Sequence, residues 1–165
     1  MRHVIALLLQ NEAGALTRVT GLISTRGYNI ESLSVAPTLD PTVSRVTLVT
    51  VGSDAVIAQI NAQLSKLVDV VAVDDLTSGN HLARELLLLK LELEPDQAAA
   101  LEERVRELGG RVLSATPASF IAELTASEAE VNALIRELGS RGKLAEVVRS
   151  GALGIARSVR AVERT

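Results

Sequence analysis

The residues best suited to hold a small molecule lie in "LLLQNEAGALTRVTGLISTRGYNIESLSV", Leu7 to Val35. An apolar run gives way to Asn11-Glu12 and passes through Gly14; Asn29 follows Tyr28 at the start of another apolar stretch. A helix beginning at this seam would present unpaired backbone N–H groups and the positive end of its dipole, which suit a carboxylate. Ala13 and Gly14 have little or no side chain, so a ligand can approach the backbone. Asn11 carries both a donor and an acceptor, as an α-amino acid with its ammonium and carboxylate requires. Asn29 opens the second strand, expected beside the first, and Ala15, Leu16 and Ile30 would supply apolar contact. The same residues also make an ordinary helix start, with Asn11 as cap and Glu12 near the favourable end of the dipole. On residue types alone both readings stand.

Catalytic groups are scarce elsewhere. His3 opens a strand and His81 sits in a polar linker, and neither has a sequence neighbour to position it as a base. Without cysteine there are no disulfides, thiol chemistry or cysteine-ligated metals. The His, Asp and Glu residues do not fall at a metal-ligand spacing such as HExxH. Asp69, Asp74 and Asp75 of "VDVVAVDDL" read as solvated strand edges. The glycines form neither a dinucleotide fingerprint nor a phosphate loop, so nucleotide cofactors are not expected.

The elements that position the seam follow from an aliphatic chain of 165 residues. It is 47% hydrophobic, with Tyr28 and Phe120 as its only aromatics. That is enough apolar material for a core, yet two domains of about 80 residues built on it would be marginal alone, which favours burial in an oligomer. A net charge of −3 without a basic block, and without stacking aromatics, gives no footprint for nucleic acid. The opening "MRHVIALLLQNE" is too short for a signal-peptide core and no run is long enough to span a bilayer, so the expected location is cytoplasmic.

Strand His3–Gln10, a helix ended by Gly27, and strand "NIESLSVAP" come first. A loop through "APTLDPT", strand "VSRVTLVTVG", a helix begun at Ser53-Asp54 and strand "VDVVAVDDL" complete the set. The order βαββαβ predicts an antiparallel sheet with both helices on one face and a bare, partly apolar other face that needs covering. After the polar stretch Thr77–His81 the pattern repeats. Strand "ARELLLLKLEL" closes at Glu94-Pro95, and a helix over Asp96–Leu108 stops at Gly109-Gly110. Two strands flank Pro117, Ser127 caps a helix, and "KLAEVVRS" precedes a basic tail. The fold class is therefore α+β, two tandem ferredoxin-like units, with a boundary between Leu76 and Leu82. The expected domains are 1–76 and 83–165.

The segment "NEAGALTRVTGLISTRGYNIESLSVAPTLDPTVSRVTLVTVG" resembles the N-terminal ACT domain of the small, regulatory subunit of acetolactate synthase, also called acetohydroxyacid synthase. The resemblance continues through "QINAQLSKLVDVVAVDDL", "RELLLLKL" and "VVRSGALGIARS". It implies a chain that is not itself an enzyme. Its partner would be a separate catalytic subunit carrying thiamine diphosphate, magnesium and FAD. The small subunit would activate that partner and confer feedback inhibition by a branched-chain amino acid, commonly valine. It implies paired ACT domains, as a homodimer or larger oligomer, with the effector at their interface. Mapped here, the effector site is Asn11, Ala13, Gly14, Ala15 and Leu16, with Asn29 and Ile30 from the partner chain. The other reading is a stand-alone ACT-type amino-acid sensor acting on a different partner.

Overall fold

The computed structural model describes residues 1–158 apart from 93, 95, 118 and 142. The chain divides into two compact units, one comprising Met1–Ala83 with the segment from Gly151, the other Arg84–Ser150.

In the first unit, β1 (Arg2–Gln10), α1 (Ala15–Thr25), β2 (Ile30–Pro37), β3 (Val43–Val51), α2 (Asp54–Leu64) and β4 (Val70–Asp75) follow the expected order. The sheet order is β2-β3-β1-β4, antiparallel throughout. Strand β1 alternates Ile5, Leu7 and Leu9 toward the helices with Val4 and Ala6 on the opposite face, so it is buried on both sides. The helices contribute Val19 and Ile23 from α1 and Ile57, Ile60 and Leu64 from α2, the i, i+3/i+4 stripes that an aliphatic core requires. As the pattern predicts, Ser53 caps α2 by accepting from the Val56 N–H, and Gly27 ends α1 at φ 75°.

Two expectations change here. Strand β2 does not lie beside β1; β3 is inserted between them. The chain after Gly151 is not simply a tail, because β9 (Leu153–Ala156) lies against the sheet face opposite the helices. Ala152 joins Val4, Ala6, Val49 and Leu76 in a small second core there. The Gly154 N–H reaches Thr47 Oγ1 at 3.4 Å, and Arg45 Nη2 donates to the Gly154 carbonyl at 3.2 Å. Part of the face expected to be bare is thus covered by the protein's own chain.

The second unit repeats the design. It contains β5 (His81–Glu92), whose first residues belong to unit one, then α3 (Ala98–Glu107), β6 (Arg111–Thr116), β7 (Ser119–Ala126), α4 (Glu128–Arg141) and β8 (Lys143–Arg149). The order is β6-β7-β5-β8, over a core of Leu87, Leu89, Leu91, Phe120, Val131 and Leu138. Ser127 and Glu130 close a capping box at α4: the Ser127 N–H donates to Glu130 Oε2 at 2.8 Å, and the Glu130 N–H to Ser127 Oγ at 3.4 Å. Pro95 and the tail beyond residue 158 lie outside the described residues.

Candidate functional site

The seam between β1 and α1 is pinned by backbone. The Gln10 N–H donates to the Asp69 carbonyl at 2.8 Å, and the Asn11 N–H to the Thr42 carbonyl at 2.7 Å. Asn11 does not cap the helix. Its side-chain Nδ2 donates instead to the Pro41 carbonyl at 3.0 Å, tying the seam to the β2–β3 turn. The residue before the helix is Gly14, at φ 86° and ψ −15°, a left-handed conformation that explains a glycine here. No side chain caps α1 and no acidic residue occupies its first turn. Like α3, and unlike α2 and α4 with their serine caps, this terminus has no side-chain cap and no first-turn acid, although the Ala15 N–H is taken up by the Glu12 carbonyl at 3.2 Å.

Around this turn Asn11, Glu12, Ala13 and Gly14 are exposed, Leu16 is half-buried against the core, and Ala15 is buried within it. Asn29 and Ile30 are elsewhere. Ile30 pairs with Thr50, and Thr50 pairs with His3, at one end of the sheet. Gln10 pairs with Val43 at the other end. Seven residues of strand, roughly 23 Å at about 3.3 Å per residue, separate His3 from Gln10. Asn29 is exposed, and its backbone is anchored by Thr50 Oγ1, which donates to the Asn29 carbonyl at 2.7 Å. One protomer thus carries the two asparagine positions at opposite ends of one sheet.

The sequence reading missed the ion pair that braces this seam. Asp69 is not a solvated edge: it is buried, and Arg18 grips it with Nε on Oδ2 at 2.5 Å and Nη2 on Oδ1 at 2.7 Å. The hydrogen bonds from Arg18 hold the Asp69 carboxyl below its ordinary pKa against the opposing effect of burial, and Arg18 is raised chiefly by the same bonds. Arg18 follows Gly14 by one helical turn, so its guanidinium folds back over the glycine. An added Cβ at Gly14 would meet Arg18 Nη1 at 3.0 Å. A basic residue in the first turn was the available signal; its partner, 51 positions away, was not legible.

His3 is buried at the other end of the sheet, with Nε2 at 3.4 Å from Asp54 Oδ1 and Nδ1 at 3.6 Å from Asp75 Oδ2. Among the described residues, no group of three or more His, Asp or Glu is placed to hold a metal ion. No described helix is long and apolar enough to cross a membrane.

Two βαββαβ units in tandem, the first with a glycine turn leading into an uncapped helix, place the chain in the class of tandem ferredoxin-like α+β proteins. Residues 5–72 match the family model described as the AHAS small subunit-like ACT domain, and residues 84–158 match that of the small subunit of acetolactate synthase. The chain is 42% identical over 157 residues to the acetolactate synthase isozyme 3 small subunit of Escherichia coli, covering 95% of this chain and 96% of that one. It is 41% identical, over the same shares, to the acetolactate synthase small subunit of Haemophilus influenzae. The crystal structure of the acetolactate synthase small subunit from Thermotoga maritima matches with a TM-score of 0.85 at 29% identity, covering 96% of this chain and 98% of that one. The chain belongs to the family of small, regulatory subunits of acetolactate synthase. It is a non-catalytic subunit that works with a catalytic chain in branched-chain amino-acid biosynthesis.

Proposed function

We propose that this chain binds a branched-chain amino acid, valine first among them, and through it inhibits a catalytic subunit that the unliganded chain activates. The effector's carboxylate meets the Ala13–Gly14 turn at the start of α1. Asn11, whose amide nitrogen is committed to Pro41, offers its amide oxygen to the ammonium. Leu16 contacts the side chain, and Asn29 and Ile30 of the partner subunit close the site. Thiamine diphosphate, magnesium and FAD belong to the catalytic chain, and the complex works in the cytoplasm. In this division of labour residues 1–76 bind effector and dimerise, while 83–165 form the family's C-terminal domain.

The observation that carries this reading is the separation of the two asparagines. Exposed polar groups at opposite ends of one sheet cannot share a small ligand within a protomer, but a two-fold pair can bring one end of each sheet to the other. A ligand that bridges two chains binds the paired arrangement better than the separated one. This differential affinity is what biases an assembly between states.

The test combines calorimetry on the isolated chain with activity of the reconstituted holoenzyme, titrating valine, leucine and isoleucine. Gly14→Asp and Asn29→His should each weaken effector binding by at least roughly tenfold, the scale of one lost charge-assisted contact, with fold and dimer intact. Wild-type affinity in both variants would refute the site. An unchanged holoenzyme rate at every amino-acid concentration would refute the regulatory mechanism.

A further inference from the structure

We infer that Arg18, held in place by buried Asp69, is the cationic contact for the effector's carboxylate at the Gly14 turn, and that Asp69 is its positioning residue. The inference rests on the effector reading above and adds two residues to it.

The geometry gives each edge of the guanidinium a separate task. Asp69 takes Nε and Nη2 through two parallel hydrogen bonds of 2.5 and 2.7 Å. The fork is thereby fixed, while the Nη1 edge keeps its N–H donors. Nη1 is the heavy atom nearest to where a Gly14 side chain would start, at 3.0 Å. The open side of the glycine turn is therefore not empty: an arriving carboxylate meets a guanidinium edge beside a helix start whose first N–H, that of Ala15, is already bonded to the Glu12 carbonyl at 3.2 Å. Among the described residues Arg18 is the cation on this turn, and Glu12, the nearest acid besides Asp69, is exposed.

The brace also explains why a long, half-exposed side chain can serve a specific contact. A free arginine would lose rotamer entropy on binding, whereas one already ordered by a buried carboxylate does not. The Gln10 N–H bonds to the backbone carbonyl of the same Asp69. The end of β1, the entry to β4 and the first turn of α1 are therefore tied to one another through Asp69.

The experiment measures binding of valine and of valinamide to the full chain, with leucine, isoleucine and their amides alongside. The amide keeps the ammonium and side chain and removes the negative charge. Wild type should prefer the acid. Arg18→Met should lose about tenfold or more for the acid and change by less than about twofold for the amide, as expected when one charge-assisted bond is removed. Arg18→Lys, which keeps the charge without the fork, should recover part of the loss. Asp69→Asn should weaken the acid selectively, by less than Arg18→Met. Equal weakening of acid and amide would show that Arg18 merely braces the turn, and unchanged acid affinity would remove it from the site; either outcome overturns the inference. Should Arg18→Met fail to fold, Arg18→Lys and Asp69→Asn decide on the same acid-against-amide criterion. A wild-type chain that binds none of the three amino acids sinks the effector reading itself, a result distinct from the Arg18 outcomes.

Discussion

Gly14, Arg18 and Asp69 meet in one small volume at the start of α1, and the behaviour of each depends on the other two. The carboxyl of Asp69 lies below its ordinary value of 3.8 in the folded chain, chiefly because Arg18 donates two hydrogen bonds to it. A depressed carboxyl pKa stabilises the fold above the unfolded-state value, and that stabilisation is lost as pH falls through the folded-state value. Asp69→Asn should therefore be less stable than wild type at pH 7. The gap between the two should close as pH drops below about 4, where the unfolded-state carboxyl takes up its proton. Denaturant midpoints of both proteins at pH 7 and pH 3 check this. A gap of the same size at both values would mean that the carboxylate's charge contributes nothing. None of this was legible in the sequence, where Asp69 stands among aspartates that look alike; the fold alone separates it from Asp74 and Asp75.

At the level of elements, most of the architecture was legible because aliphatic periodicity left few choices. Val19 and Ile23 could only be one face of a helix, and Ile5, Leu7 and Leu9 one face of a strand. The seam was less so, since Asn11 is a good cap type and nothing local revealed that its amide would go to Pro41. The last strand inverted the usual signal. In β9 the larger residues, Leu153 and Ile155, point to solvent, while Ala152, just before it, and Gly154 face the sheet. Small residues face inward because the backbone runs close to the sheet: a Cβ on Gly154 would lie 2.7 Å from Leu76 Cδ1 and 3.0 Å from Val4 Cγ1. Gly154→Val should lift the segment from the sheet, at a cost of about 1–3 kcal/mol as for other overpacked sites. Hydrogen exchange at residues 151–157 should then rise while exchange in α1 and α2 stays at wild-type levels. Unchanged protection would show that the segment can shift to accept the side chain.

For the whole molecule, the strand order determines what one chain can do by itself. The sequence pattern sets Asn11 and Asn29 on adjacent strands, and the family resemblance takes Asn29 from the partner chain. Strands β1 and β2 both run antiparallel to β3 and hence parallel to one another, so Asn11, just past the end of β1, and Asn29, just before the start of β2, lie at opposite ends of the sheet with β3 between the strands, and a shared ligand demands a second copy. Two-fold symmetry makes this testable by mixing. Asn11→Ala and Asn29→Ala chains should each form dimers with two damaged sites. A mixed dimer carries both defects in one site and neither in the other. After equal amounts exchange freely, about half the dimers are mixed, so roughly one site in four should bind with wild-type affinity. Calorimetry of the mixture should resolve that fraction, and neither variant alone should show it. If the mixture binds no better than its components, the two asparagines do not complete one another across a dimer. The effector would then have to be held at one end of the sheet by the Gly14 turn and Arg18 alone.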